Sequence, residues 1–296
     1  EEDWGEDTVI NSSGRGMLDL SALGADWHLV INLTYKIITV NSSLPGNKIS
    51  FDSISDILTG SGNDEFIIAD RQKMNLEGGH GDDTFKFVGD GILEGIIDGG
   101  TGYNTLDYSD YATAVMFNLA AMNATSLNGF TNIHKLIGSN SNGVYDTIRG
   151  TNSDSRYEIT AENAGKITWN ITLGGQEVEY YFEFEGIENL IGGTGKDTFA
   201  IIGQGSLTGS IDGGAGSNTL DYSEYDKGDN TGVKVDLSED QRSATAIGKG
   251  EPGMISNIQN VVSSPYDDEL IGHETESNTF IFEDDWGNDK LTRAAA

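Results

Sequence analysis

The chain has 296 residues, with 48 acidic side chains against 17 lysines and arginines, and its formal net charge is −31. Nucleic acids and anionic lipid surfaces repel such a polyanion, so we exclude both as partners and expect no membrane insertion. The absence of cysteine removes disulfides, thiolate zinc sites and cysteine nucleophiles. The excess of carboxylates instead predicts a positively charged partner.

Glycine is abundant, at 40 residues, and proline is rare, at 3. This balance is typical of a fold with many tight turns between paired strands. The hydrophobic fraction of 36% is low for a compact globule. A stack of repeats with a narrow core accommodates that fraction better.

Alternating apolar and polar residues predict strands in several places along the chain. The first stretch spans residues 27–40, and the longest spans residues 166–184. Residues 115–119 and 233–237 alternate in the same way. Alternation of this kind predicts strands with one buried face. Helical periodicity is nearly absent, and residues 120–122 are its only candidate.

Short glycine-rich segments recur along the chain, and each is followed two residues later by a large apolar side chain. They are Thr59–Asp64, Gly78–Asp83, Gly99–Asn104, Gly192–Asp197 and Gly213–Asn218. The sixth residues of the first two segments are 19 positions apart, and the next interval is 21. If each interval is one repeat, the turns stack about 4.8 Å apart, which is the spacing of paired strands.

The longest internal match joins residues 97–109 to residues 211–223, which are identical at 11 of 13 positions. A second match, of residues 54–68 to residues 187–201, has an offset that is larger by 19. We infer that the first half carries one extra coil near residues 69–87. The repeats therefore predict two homologous units, residues 1–150 and 151–296, or one continuous solenoid. Residues 293–296 have the composition of a cloning scar and are set aside.

A weaker match joins Asp3–Asp7 to Asp285–Asp289, each with an Asp-Trp-Gly core. The two tryptophans, Trp4 and Trp286, are 282 residues apart. The match therefore predicts that this sequence is one repeat of a tandem array.

The glycine segments predict a metal site. Glycines at alternate places allow a tight turn with inward carbonyls, and the sixth residue adds a carboxylate. Oxygen ligands from two adjacent turns favour Ca²⁺ over Mg²⁺ and exclude soft metals. The alternative is that the aspartates only hydrogen-bond the backbone of their own turns.

These segments closely resemble the glycine-rich nonapeptide repeat of RTX proteins. The resemblance implies an all-β fold, a parallel β-roll or β-helix solenoid with some longer strands. It implies calcium as the cofactor, bound by Asp64, Asp83 and Asp197, with Asn104 and Asn218 as weaker, uncharged equivalents. Because only three turns keep the aspartate, we expect few sites, with dissociation constants of about 0.1 to 1 mM.

Several other residues are candidates for the same or different roles. Asp98 and Asp212, just before two turns, are further candidate ligands. Degenerate turns lacking the glycines are expected to bind no metal, namely those near Asp146, Asp154, Asp268 and Asn278. The four histidines lie in dissimilar settings, so we expect no shared role. The tryptophans are expected to be buried or to cap coils rather than to form a sugar-stacking platform.

No catalytic constellation can be assembled, because cations are few and neither a nucleophile elbow nor a phosphate loop is present. We expect no enzyme activity. The expected function is a calcium-stabilised structural or adhesive repeat segment of a large extracellular bacterial protein, secreted or on the cell surface. Its partners would be calcium ions, neighbouring repeats, or cell-surface and matrix glycans. The alternative is a carbohydrate-binding or accessory module of a secreted polysaccharide-modifying enzyme.

Overall fold

A computed structural model describes residues 5–12, 15–40, 47–283 and 287–294. Four residues of the Asp-Trp-Gly match, Asp3, Trp4, Asp285 and Trp286, lie outside these residues. Within them the protein is all-β, with parallel and mixed sheets and no α-helix, which confirms the predicted class. None of the described helical segments is long and apolar enough to cross a membrane.

The chain forms two compact units. The first comprises the described residues up to Phe117 together with Ala121–Val144, and the second comprises Asn118–Ala120 together with the described residues from Tyr145 onward.

The strands of the first unit are short. They are β1 (Glu6–Ile10), β2 (Met17–Asp19), β3 (Leu29–Asn32), β4 (Ile37–Val40), β5 (Lys48–Asp52), β6 (Asp56–Leu58), β7 (Glu65–Ile68), β8 (Arg71–Gln72), β9 (Asn75–Glu77), β10 (Thr84–Gly89), β11 (Ile92–Asp98), β12 (Thr105–Tyr111), β13 (Met116–Asn118, whose last residue belongs to the second unit), β14 (Asn123–Ala124), β15 (Leu127–Thr131) and β16 (Lys135–Ile137).

Two sheets organise the first unit. One has the strand order β1-β5-β4-β3-β7-β10-β12-β16, and the other has the order β2-β6-β9-β11-β15-β14-β13, with β8 beside β11. From β6 to β16 the chain passes back and forth between them. The predicted strand at residues 27–40 is two antiparallel strands, β3 and β4, because a turn at residues 33–36 interrupts it.

The repeat interval appears directly in the parallel pairing of the first sheet. Phe66 lies beside Phe85, Phe85 beside Leu106, and Leu106 beside Leu136. The extra 19 residues of the first half therefore add one level of paired strands. All four side chains are buried, and the rings of Phe66 and Phe85 stack with centroids 4.8 Å apart. That distance matches the spacing of paired strands.

The strands of the second unit include the two longest in the chain. They are β17 (Thr147–Arg149), β18 (Ser155–Ala161), β19 (Ala164–Leu173), β20 (Gln176–Glu185), β21 (Asn189–Ile191), β22 (Thr198–Ile201), β23 (Ile211–Asp212), β24 (Thr219–Asp221), β25 (Lys234–Asp236), β26 (Ser243–Ala244), β27 (Ile255–Ser256), β28 (Asn260–Val262), β29 (Glu269–Gly272), β30 (Thr279–Ile281) and β31 (Lys290–Arg293), with one 3-10 turn, Gly248–Gly250.

Three strand orders describe the second unit: β20-β19-β18-β22-β24-β28-β30, β17-β21-β23-β27 and β26-β25-β29-β31. Phe199 and Leu220 lie side by side in parallel strands, as their counterparts do in the first unit. The predicted strand at residues 166–184 is the antiparallel pair β19 and β20. It turns at Gly174 and Gly175, whose φ angles are +58° and +84°. Positive φ at both positions is what a two-residue hairpin requires.

The two copies of the longest internal match make the same contacts. Tyr108 is buried, and its hydroxyl donates to the carbonyl of Thr125 at 2.7 Å. Tyr222, its counterpart, is equally buried and donates to the carbonyl of Thr245 at 2.5 Å. The repeated sequence therefore encodes a repeated tertiary contact as well as a turn.

Candidate metal centre

The glycine turns of the first unit lie directly on one another. The backbone N–H of His80 donates to the Gly60 carbonyl at 2.9 Å, and that of Thr101 donates to the Gly79 carbonyl at 2.8 Å. Close stacking requires glycine at Gly100, where φ is +76° and a Cβ atom would lie 2.0 Å from the Gly79 oxygen. The first three turns are therefore adjacent, as their spacing predicts.

The sixth residues of these turns form a buried ladder. Each side chain accepts a hydrogen bond from the backbone N–H of the corresponding residue one level earlier. The bonds are Leu29 N–H to Asp64 Oδ1 at 2.7 Å, Asp64 N–H to Asp83 Oδ1 at 2.9 Å, Asp83 N–H to Asn104 Oδ1 at 2.9 Å, and Asn104 N–H to His134 Nδ1 at 3.3 Å. Asp64 is 2% exposed, and Asp83 and Asn104 are 0% exposed. Oδ1 of each carboxylate thus already accepts a hydrogen bond from the backbone.

A second ladder runs in the opposite direction through the fifth residues, at the surface. Asp82 N–H donates to Asn63 Oδ1 at 2.9 Å, and Tyr103 N–H donates to Asp82 Oδ1 at 2.7 Å. Asn63 N–H in turn donates to His28 Nδ1 at 2.8 Å. Each level is therefore held to the next by two side-chain bonds in addition to the backbone.

The second carboxylate oxygen, Oδ2, distinguishes Asp64 and Asp83 from the sixth residues of the three other glycine turns. Both Oδ2 atoms are buried, and neither has a hydrogen bond of normal geometry from a described residue. The Thr59 hydroxyl and the Gly60 N–H nevertheless lie close enough to the Asp64 carboxylate to oppose the rise of its pKa, whereas Asp83 has no such neighbour at Oδ2. Burial raises the pKa of Asp64, and burial, together with the negative charge of Asp64, raises the pKa of Asp83 to about 8. A buried acceptor without a partner is costly, so a proton, a water molecule or a cation at each Oδ2 would be stabilising.

The surroundings of the Asp83 Oδ2 atom are rich in oxygen. A Cβ atom at Gly78 would lie 2.2 Å from Asp83 Oδ2 and 2.8 Å from the Gly99 carbonyl oxygen, so both acceptors border the same space. In the next turn, Asn104 presents Nδ2 at the equivalent place and donates to the Asn132 carbonyl at 3.0 Å. At the Asn104 turn, an amide nitrogen donates to the neighbouring carbonyl. Beside Gly78, in contrast, a carboxylate oxygen and a carbonyl oxygen border the same space, and both are acceptors.

The three other predicted ligands have their side chains saturated by protein bonds. Asp197 accepts Ser155 N–H at Oδ1 at 3.0 Å and Gly193 N–H at Oδ2 at 2.9 Å. Asn218 resembles Asn104: its Oδ1 accepts Asp197 N–H and its Nδ2 donates to the Asn257 carbonyl, each at 3.0 Å. Burial raises the pKa of Asp197 too, but both of its oxygens are bonded. The structure therefore brings Asp64 and Asp83 together and leaves Asp197 in the other unit with a backbone role.

The aspartates that precede the turns cap them. Asp98 Oδ1 accepts Gly100 N–H at 2.9 Å, and Asp212 Oδ1 accepts Gly214 N–H at the same distance. Asp268, in a degenerate turn, is buried and accepts Ser264 N–H at 2.8 Å through Oδ2. The contacts of Asp98 and Asp212 are Asx turns, in which the side chain bonds the N–H two residues later, whereas Asp268 accepts from four residues earlier, as Asp197 does from Gly193.

Sequence reasoning missed two members of the ladder. His134 accepts from Asn104, and Gln259 accepts Asn218 N–H through Oε1 at 2.8 Å. Neither residue belongs to a glycine turn. Both nevertheless stand two residues before a buried apolar side chain, Leu136 or Val261, as the sixth residues of the turns do. That spacing was the available signal.

Within the described ranges, no three histidine, aspartate or glutamate side chains converge as a metal-holding group. Oxygen ligands at Asp64 and Asp83 would instead combine carboxylates with turn carbonyls, a donor set that suits a hard cation. No family model matches the chain, and no curated protein matches it in sequence.

Proposed function

We propose that the chain is a calcium-stabilised structural or adhesive repeat segment of a large extracellular bacterial protein, with each unit built as a parallel β-roll. The observation that carries the proposal is the pair of buried carboxylates, Asp64 and Asp83, on adjacent turns, each with one oxygen that no described residue satisfies. Support for the β-roll comes from the chain passing between two sheets and from parallel pairing at intervals of 19 and 21 residues.

Asp64 and Asp83 would hold the ion through Oδ2, with the Gly99 carbonyl as a further donor beside Asp83. Calcium would supply the positive charge that two neighbouring buried carboxylates lack. The protein's own part is to fix those oxygens: the Oδ1 ladder sets the side-chain rotation, and Gly78 leaves the space free. Asp197, Asn104 and Asn218 would serve the ladder rather than the ion.

Binding of this kind stabilises folding, because an assembled site is absent from the unfolded chain. Calcium at about ten times its dissociation constant would contribute about 1.4 kcal/mol per site. A dissociation constant of about 0.1 to 1 mM, as in other extracellular modules, would keep the site empty inside a cell and filled outside it. The segment would then become rigid only after export.

The test is thermal unfolding of the whole chain in calcium, in magnesium and in chelator, combined with a calorimetric calcium titration. We expect calcium to raise the melting temperature by several degrees and magnesium to act more weakly, since Mg²⁺ demands stricter geometry. Identical melting curves in calcium and chelator, with no heat of binding, would remove the basis of the proposal.

A further inference from the structure

A cleft in the second unit gathers cations in a chain that has few. It encloses about 500 Å³ and is lined in part by Lys227, Lys234 and Lys249. These are three of only 17 lysines and arginines in the sequence, and they come from a loop, from β25 and from the 3-10 turn. Residues distant in sequence thus converge on one surface.

The lining of this cleft differs from that of the other clefts found among the described residues. It includes no aspartate or glutamate, although these make up 48 of the 296 residues. Three further clefts among the described residues each include at least one carboxylate, Glu276 in two of them and Asp154 and Glu179 in the third. The cleft is therefore a local exception to the acidic surface.

The lysines keep charge available for a ligand. Lys227 pairs with Asp229 at 3.3 Å and Lys234 with Glu269 at 3.5 Å, but the side chains of both lysines are more than half exposed. Exposed pairs of this kind are weak and exchange readily. Lys249 has no carboxylate within ion-pairing distance in the part of the chain that the structure describes. Its ammonium adds an uncompensated positive charge.

Lys249 also has an unfavourable backbone conformation. Its φ and ψ are 59° and 20°, in the left-handed region, and the flanking Gly248 and Gly250 have positive φ as well. The turn is closed by a bond from Gly250 N–H to the Ile247 carbonyl at 2.8 Å. Glycine adopts this conformation without the strain that a lysine side chain adds. Ten other non-glycine residues in the described ranges also have positive φ, so the conformation shows how the turn holds Lys249 and not what Lys249 does.

Neutral polar groups complete the lining. Gln204 contributes an amide, and Ser243 and Tyr225 contribute hydroxyl groups, whereas the Thr245 hydroxyl is used to bond the Lys234 backbone. Amide and hydroxyl groups beside ammonium groups match a ligand that carries both hydroxyls and a negative charge.

We propose that this cleft binds an acidic sugar, with the three lysines engaging its carboxylate and the amide and hydroxyl groups engaging its ring hydroxyls. The proposal goes beyond calcium stabilisation, because none of the lining residues is a candidate calcium ligand. It gives the adhesive surface a defined class of ligand.

The experiment compares methyl β-D-glucuronide with methyl β-D-glucoside, which differ only in the carboxylate, by NMR titration of the whole chain at constant calcium. Inorganic phosphate is the third probe. The test variant combines Lys227→Gln, Lys234→Gln and Lys249→Gln. A control of equal net charge combines Lys36→Gln, Lys73→Gln and Lys196→Gln, none of which lines this cleft.

We expect the glucuronide to bind at least tenfold more tightly than the glucoside, the test variant to lose at least tenfold in affinity, and the control to lose less than twofold. Equal affinity for the two glycosides, equal losses in both variants, or binding of phosphate alone would overturn the proposal. If the triple variant does not fold, Lys249→Gly removes the ammonium and relieves the backbone, and a weakening of several-fold is expected. A chain that shows no response to calcium is still expected to bind the sugar. Failure of the calcium proposal can therefore be distinguished from failure of the sugar proposal.

Discussion

Asp83 and Asp197 occupy the same place in the same motif, yet their surroundings differ. Each is the sixth residue of a glycine turn, is buried, and donates its N–H to an asparagine 21 residues later. Asp197 Oδ2 accepts the N–H of Gly193, whereas Asp83 Oδ2 has no partner among the described residues. The second glycine of the turn also differs, because Gly79 has a φ of +85° and Gly193 lies outside the left-handed region. This rotation accounts for the contrast between Asp83 and Asp197 but not for Asp64, whose Gly60 also lies outside the left-handed region.

The largest expected effect is on the pH dependence of metal-free stability. The folded protein holds the Asp83 proton up to a pKa of about 8, whereas the unfolded chain releases it near 3.8. The folded state therefore binds more protons between these values, so the contribution of Asp83 to stability is full below about pH 4 and is lost as pH rises toward about 8. We expect a loss on the order of a few kcal/mol, measured by urea unfolding in chelator. Stability that stays level or rises over this range would contradict the assignment.

Filling the space beside Asp83 is expected to have the next largest effect. Gly78→Ala would place a methyl group 2.2 Å from Asp83 Oδ2, so we expect a loss of about 2 kcal/mol and of the calcium response. Gly24→Ala is the control, because a Cβ atom there meets nothing within 4 Å. Thermal melts of both variants with and without calcium provide the measurement. A calcium shift that survives in Gly78→Ala would place the ion elsewhere.

Asp83→Asn should make the turn at residues 78–83 behave like the next turn, at residues 99–104. An amide nitrogen facing the Gly99 carbonyl would reproduce the bond from Asn104 to Asn132, so metal-free stability should rise by about 1 kcal/mol. The calcium-induced shift in melting temperature should shrink, because one candidate carboxylate is gone. The dependence on pH should flatten in the same variant. A destabilised variant with an intact calcium response would show that Asp83 has only a backbone role.

Asp197→Asn is the matched change in the second unit, with the smallest expected effect and the opposite sign. The new amide nitrogen would face the Gly213 carbonyl, as at residue 83, but it would leave the N–H of Gly193 without its acceptor, so we expect a small net loss of about 0.5 kcal/mol. The calcium shift should remain as in the wild type, since both oxygens of Asp197 already have protein partners. A calorimetric titration in which this variant loses calcium binding would reverse the distinction between the two aspartates.

Much of the architecture was readable because repeats encode local structure. The interval from Phe66 to Phe85 predicted which strands lie side by side, and the pairing confirms it. The all-β class followed from alternation and from the glycine turns. The turn at residues 33–36 was not predicted, because the flanking residues alternate without a glycine or proline between them.

The candidate site was only partly readable. The hexapeptides identified Asp64, Asp83 and Asp197 as candidate ligands and favoured the first two, because those lie on neighbouring turns, but they could not show which carboxylate oxygens have protein partners. His134 and Gln259 escaped notice, because they continue the ladder without glycine. The lysine cleft had no sequence signal at all, since its residues share no motif or regular spacing.

By itself, the sequence determined that this chain is acidic, all-β and repetitive, with apolar side chains at intervals that place them in neighbouring strands. Only the tertiary structure decided which carboxylate oxygens are satisfied and where the lysines converge. The physical reason is one of range. Strand pairing follows the repeat in the sequence. The partner of a buried oxygen depends instead on the backbone angles of its own turn and on atoms in the adjacent turn. A cleft depends on residues that come together only when the chain is folded.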